Sequence, residues 1–459
     1  MKKTRQIDFA NGPIMKCILG SALPMLAAQI LTLLYNIVDR IYIARIPGIG
    51  TTAIGAVGLC FPIVILTAAF TDLYGTGGAP LFSIEYGRGR IDRASHLMNT
   101  SFRLELLTGI LLFLVFEIFS GPLLFLFGAS ENTFPYAAAY LRIYLTGTVF
   151  TMITAGMNPF INAQGFPLVG MATVTIGAVL NIVLDPVFIF SLHLGIEGAA
   201  IASVISQAVS AFFVLRFLTG KKAMCRIEQE SLPAFFRDER SIWNIISLGT
   251  ASFIMQLINA LVSISCNHVL HHTGGDLYVS VMTIVISVRQ IMDTPIMAIA
   301  DGAAPVLSFN YGAGKFKRVR EAVKITALLG FAYTASAWIL ILTRTDLLIS
   351  IFSSDTAIGT AAEEAIHLYF SAFVFQTLQY VGQTTFKALA RKRQAIFFSL
   401  LRKAVIVVPL TYLLPYVFHL GARGVFLAEP FSNVIGGTAC FTSMMLTVMR
   451  KLKRMEDQA

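Results

Sequence analysis

The chain has 459 residues, 56% of them hydrophobic and 13% charged, with a mean hydropathy of +0.73. A soluble domain of this length carries far more charge, so the composition points to a polytopic helical membrane protein. The net charge of +10 could suggest nucleic acid, but the basic residues sit in loops between apolar runs and imply no nucleic-acid partner.

In chain order, apolar stretches of membrane-spanning length fall at about 14–43, 53–82, 95–118, 135–156, 167–190 and 196–218. A polar connection, 219–241, carries Lys221, Lys222, Arg226, Arg237 and Arg240. Six more stretches follow at about 242–268, 278–306, 322–343, 361–386, 396–416 and 422–448. The first follows a basic stretch (Lys2, Lys3, Arg5, Lys16). It is too long for a signal peptide and lacks a small-residue cleavage pattern. Twelve spans put both termini on one side. Basic residues crowd the N-terminus, the even-numbered connections and the C-terminus, whereas the odd-numbered ones hold Arg45, Arg344 and Arg423. The positive-inside rule therefore places both termini and the 219–241 connection in the cytoplasm, for a multi-pass protein of the cell's inner (plasma) membrane. Cys17, Cys60, Cys225, Cys266 and Cys440 are odd in number and lack C-x-x-C spacing, which argues against disulfides or zinc.

The sequence is also a tandem repeat. GGAPLFSIEYGRGR (77–90) matches GAAPVLSFNYGAGK (302–315) at an offset of 225 residues, and HLGIEG (193–198) matches HLGARG (419–424) at 226. Such similar offsets far apart in the chain imply duplication of a six-span block. Six is even, so both copies keep one orientation. The expected fold is all-α: twelve transmembrane helices in two six-helix bundles related by a pseudo-twofold axis along the membrane normal. The corresponding regions are an N-terminal lobe (1–218), a linker (219–241) and a C-terminal lobe (242–459). Such halves suit transporters that rock about a central cavity.

Buried acids mark the working part. Asp185 lies in IGAVLNIVLDPVFIF (176–190), with no Lys or Arg between Arg142 and Arg216. A carboxylate near the middle of a span costs about 2.5–3.5 kcal/mol on insertion scales and persists when it faces a protein-lined cavity. Asn181 precedes it by one turn on the same face, and Pro186 follows, freeing a backbone carbonyl as a further oxygen ligand. The plainer alternative is an acid that caps a helix break or pairs with a base on another span. Projected by about 226 residues, Asp185 falls near Thr411 and Asp39 near Ser265, with no acid close to either. An ion site is therefore expected in the N-terminal lobe.

Span 1 reads LPMLAAQILTLLYNIVDRIYIARIPG (23–48), with Tyr35, Asn36 and Asp39 on neighbouring turns and Pro24 nearer its start. With LNIVLDPVF, the G-x-A-P-x-x-S-x-x-Y-G-x-G block and the duplication, the whole chain resembles the multidrug and toxic compound extrusion (MATE) family. The likeness is closest to its prokaryotic DinF-like and MepA-like branch. That resemblance implies a cation-coupling site at Asp39, Asn181 and Asp185, joined by Tyr140 (with Tyr136 and Tyr144 within a turn) and Ser203 (with Ser206 nearby). It implies no C-lobe ion site, since span 7 offers Gln256 and Asn259 in place of an acid.

The implied activity is secondary antiport: export of amphipathic, mostly cationic compounds against inward H⁺ or Na⁺. Tyr35, Asn36, Gln256, Asn259 and Glu429 are candidates to line the substrate cavity. The rival reading is a flippase for a lipid-linked precursor, which would need a cavity rich in Arg and Lys. Those available (Arg103, Arg142, Arg289, Arg402, Lys403) lie mostly near span ends. Arg289 and Asp293 are spaced for an intrahelical ion pair, and Asp72, Arg103 and Glu105 for interhelical pairs. His268, His271, His272 and Asp276 imitate a metal site, but a loop offers no second shell of ligands and none is expected. GTGGAP (75–80) and GAGKF (312–316) lack the context of nucleotide loops, so no enzyme activity and no cofactor are expected beyond the coupling ion. The expected partners are small-molecule substrates and the lipid bilayer, and the expected state is a monomer.

Overall fold

The computed structural model describes residues 6–228, 238–352 and 356–458. Lys2, Lys3, Arg5 and Arg237, part of the charge pattern above, lie outside them. Among the described residues there is no strand, and nine helices are long and apolar enough to cross a bilayer. One of these, Glu239–Gly312, is two spans joined at Gly275, whose φ of 69° breaks the helix. Two further spans are interrupted, one by a turn at Gly147 and the other by a turn and a short 3₁₀ segment ending at Phe375.

The twelve spans are α1 (Ile14–Ala44), α2 (Gly50–Gly87), α3 (Ile91–Leu126), α4 (134–163), α5 (Pro167–Ser191), α6 (Gly195–Leu218), α7 (239–274), α8 (276–312), α9 (Phe316–Thr343), α10 (356–388), α11 (Lys392–Tyr416) and α12 (Ala422–Asp457). Several overrun their apolar stretches: the 95–118 run sits inside Ile91–Leu126. An apolar run marks what lipid covers, while the helix goes on to satisfy its own backbone beyond that layer. α1 passes through Pro24 unbroken.

Backbone geometry records the duplication independently of side chains. Positive φ recurs at Gly89 (76°) and Gly314 (72°), at His193 (53°) and His419 (54°), at Gly195 (56°) and Gly421 (54°), and at Gly165 (86°) and Ala390 (55°). The last pair is instructive: in the turn between α10 and α11 alanine holds a left-handed conformation that its Cβ disfavours, at the place where the first repeat has glycine.

Contacts divide the chain into two compact units that do not follow chain order. The first holds Met1–Asp8 and Ala27–Phe253, and the second holds Phe9–Leu26 and Ile254–Ala459. Both α1 and α7 therefore change unit along their length, α1 two residues after Pro24. Within the second unit, Asn310 Nδ2 donates to Phe9 O (3.0 Å) and Arg318 donates to Phe9 O (3.1 Å) and Gly12 O (2.6 Å). Within the first, Gln164 Oε1 accepts from the Met224 and Cys225 amides, and His96 pairs with Asp238 at 2.5 Å. These bonds hold both described ends of the 219–241 connection on that unit.

Small residues let the helices approach, as expected where lipid removes the hydrophobic drive for association. A Cβ on Gly249 would strike the Leu73 carbonyl, and one on Gly77 would strike the α7 backbone at Ile245 and Gly249. Gly249→Ala should therefore destabilise the protein by about 1–3 kcal/mol through overpacking. A parental melting temperature for that variant in detergent would contradict the close α2–α7 approach.

Candidate functional site: a carboxyl pair and a charge network

In the first unit, α1 and α5 bring Asp39 and Asp185 within hydrogen-bond reach of each other. Asp185 is fully buried. Asn181, one turn before it, donates from Nδ2 to Asp185 Oδ1 (3.2 Å) and to Ser203 Oγ on α6 (3.4 Å). Tyr140 on α4 stands close enough to feel both carboxyls and stacks on Tyr144 at 5.6 Å. Tyr35 lies beside Asp39 and Tyr144. All five expected coupling residues thus converge. Tyr144 and its neighbour Gln207 join them. After Pro186 the helix widens into a π-helical turn, Val187–Ser191, a distortion frequent at functional sites.

The donor set suits a small cation. Asp39 Oδ1, Asp185 Oδ2 and Asn181 Oδ1 are buried without a hydrogen-bond partner. Two carboxyls in contact repel unless a proton or a metal ion lies between them, and side-chain oxygens are the ligands a hard monovalent cation takes.

The second unit repeats the geometry with the charge removed. In the first helix of each half, Gly48 (φ 79°) matches Gly275 (φ 69°) at an offset of 227, which aligns Asp39 with Cys266. Asp185 aligns with Thr411 at 226. Cys266 Sγ and Thr411 Oγ1 are in contact at 3.9 Å, and both residues are buried. The pairing survives and the carboxyls do not.

Charge appears instead at other positions of that unit. Glu429, on α12, is 4% exposed. It accepts from Lys403 Nζ (2.9 and 3.0 Å) and Arg402 (2.8 Å) on α11, and pairs with Arg289 on α8 (3.0 Å). Arg289 also donates to Asp293 (3.1 Å), giving the expected intrahelical pair, and to Tyr369 (2.5 Å). Gln376 Nε2 closes on Asp293 Oδ1 (2.8 Å), and Arg402 reaches Asn433 (2.7 Å). Arg402 and Lys403 lie in a π-helical segment, Leu401–Val407, and Asn433 begins another, Asn433–Gly437. These bases are not scattered near span ends: three converge on one acid in a buried network. Glu429 belongs to that network and is not a free acid on a cavity wall.

The other candidates are dispersed. Asn36 is exposed and donates to the Thr32 carbonyl (2.8 Å), Asn259 is exposed and Gln256 is half-buried. Glu105 departs from the expected interhelical pair: it is fully buried, both carboxyl oxygens lack a partner, and its charged neighbour is Asp72, another acid. Gly156 on α4 provides its space, since a Cβ there would strike Glu105. His271 pairs loosely with Asp276 at 3.5 Å, both largely exposed. Among the described residues no group of three or more His, Cys, Asp or Glu is arranged to hold a metal ion.

Twelve spans in two copies of a six-helix unit, with bare carboxyls in one copy and a closed ion network in the other, define the class: an internally duplicated helical membrane protein. The chain belongs to the MatE family, whose model matches residues 24–187 and again 251–413, once per repeat. It is similar to the multidrug export protein MepA of Staphylococcus haemolyticus (strain JCSC1435), 23% identical over 461 residues, covering 100% of this chain and 99% of that one. MepA of Staphylococcus aureus (strain NCTC 8325 / PS 47) is 24% identical over 453 residues, covering 98% and 96%. Among solved structures, an outward-facing multidrug resistance MATE family transporter of the MOP superfamily superposes with a TM-score of 0.89 at 22% identity, over 100% of both chains. A MOP superfamily transporter from Pyrococcus furiosus, described as having a binding pocket of reverse polarity, gives 0.89 at 21% identity, over 99% and 100%. These structures share the fold.

Removing one member of a buried ion network strands the rest, at a cost of about 3–5 kcal/mol. Glu429→Gln would leave buried Arg402 and Lys403 and half-buried Arg289 facing Asp293 alone, so its melting temperature in detergent should fall sharply. A melting temperature equal to the parent's would show that Glu429 does not hold the network.

Proposed function

We propose that the protein is a multidrug exporter of the inner (plasma) membrane, driven by exchange of amphipathic, mostly cationic substrates for inward H⁺ or Na⁺. One observation carries this reading: two carboxyls in contact, with three unpartnered oxygens around them, inside a MatE fold. The relatives' names as multidrug export proteins support the substrate class. Asp39 and Asp185 hold the coupling ion, Asn181 and Ser203 orient Asp185, and Tyr140 closes the site. An occupying cation neutralises the pair, so ion and cationic substrate need bias the two access states only in opposite directions for exchange to result. The charge pattern puts both termini and the 219–241 connection in the cytoplasm. No nucleotide or other cofactor enters this scheme.

The second reading is a flippase for an anionic lipid-linked precursor. The convergence of Arg289, Arg402 and Lys403 favours it. Against it, each of those bases is already engaged by Glu429.

Asp39→Asn and Asp185→Asn should each abolish ion-driven ethidium efflux from proteoliposomes while leaving yield and elution profile near the parent's. Full efflux by either variant across a normal gradient would remove that acid from the coupling site. Competition between ethidium and Na⁺ for the purified protein, repeated across pH, distinguishes the two ions. Absence of any competition would favour the flippase.

A further inference from the structure

The network around Glu429 has a charge count that its hydrogen bonds do not balance. Arg289, Arg402 and Lys403 bring three positive charges, and Asp293 and Glu429 bring two negative ones. The other titratable groups facing the cluster are Cys266 on α7, Tyr333 on α9, Tyr369 and Tyr380 on α10 and Cys440 on α12. None of these is anionic in its ordinary state at neutral pH. Lys403 is 2% exposed, Arg402 and Glu429 are 4% exposed, and Arg402 Nε is buried without a partner. One surplus positive charge is therefore held away from water, an arrangement that buried ions avoid by pairing or by changing protonation.

Of the three bases, Lys403 alone can relieve it, because a guanidinium does not deprotonate in proteins. A neutral Lys403 keeps an Nζ–H for Glu429, which still accepts from Arg402 and pairs with Arg289. The cluster then counts two charges of each sign. We propose that Lys403 is a proton-exchanging site of the C-terminal repeat, losing its proton to water when the network is sealed and regaining one when it is hydrated. The loss is Lys–NH₃⁺ to Lys–NH₂ plus a proton carried off by solvent, with no other bond made or broken. Its use during transport rests on the export reading above; its titration does not.

Two measurements separate these points. Lys403→Arg keeps the charge and a donor to Glu429 but cannot titrate. Differential potentiometric titration of parent against Lys403→Arg, in detergent and without ligand, should show one proton difference in the window between neutral pH and the ordinary lysine range of about 10.4. No difference in that window overturns the proposal, whatever the transport result. In proteoliposomes, Lys403→Arg should slow pH-driven ethidium exchange at least tenfold, while Lys403→Met, neutral throughout, keeps a larger share of it. A lysine serving only as an ion-pair partner gives the opposite order, with Lys403→Arg near the parent and Lys403→Met inactive; that order also overturns the proposal. If Lys403→Met fails to fold, the titration and the Lys403→Arg rate still decide. If the parent itself moves no ethidium, the export reading fails and the titration result stands alone.

Discussion

A charge removed from water must take its compensation with it, and the two repeats meet that constraint in opposite ways. In the first, Asp39 and Asp185 face each other, Arg40 is the base whose charge Asp39 feels, and the proposed coupling cation would supply the remaining compensation from outside the fold. In the second, the aligned positions are Cys266 and Thr411, neutral and in contact. The charge there lies on α8, α11 and α12, where the protein supplies both signs itself. One copy leaves carboxyl oxygens without a partner, and the other surrounds its acids with bases of its own.

This division explains why some of the structure was legible from sequence. The twelve spans and the duplication follow from the length and spacing of apolar runs, which bilayer thickness and backbone satisfaction enforce strongly. Asp39, Asn181, Asp185, Tyr140 and Ser203 were reachable because an acid without a nearby base in an apolar run is expensive, and the family resemblance supplied their partners. The Glu429 network was not reachable in that way. Arg289, Arg402 and Lys403 lie on two helices more than a hundred residues apart in the chain, and each alone looks like an interfacial base. Their convergence is a matter of helix rotation, which the π-helical segment Leu401–Val407 alters by a fraction of a turn. Glu105 was misjudged for a related reason. Its neighbour across the α2–α3 contact is Asp72, and no pattern in either helix states which faces meet.

The repeat also shows which features a duplicated fold holds most tightly. Side chains at positions matched by an offset of 226 differ, Asp185 against Thr411 and Ser203 against Glu429, yet left-handed residues recur at matching places even where Gly165 is matched by Ala390. Turn geometry fixes where each helix begins and points, so it is shared by both copies. Chemistry on the helix faces is free to diverge once those directions are set.

The assignment of Phe9–Leu26 to the second unit has a consequence for how the chain is made. Asn310, Lys315 and Arg318, which bind the start of that stretch, are synthesised about three hundred positions after it. At about 5–20 residues per second of synthesis, that is a wait of roughly 15–60 s. For that interval the start of α1 sits in the membrane without the partners it has in the finished molecule. Its stretch from Ile14 to Leu26 must be apolar enough to be content in lipid alone, which limits how polar evolution can make it. The fold thus constrains the sequence of α1 through the order of events, a pressure that the finished contacts alone do not reveal.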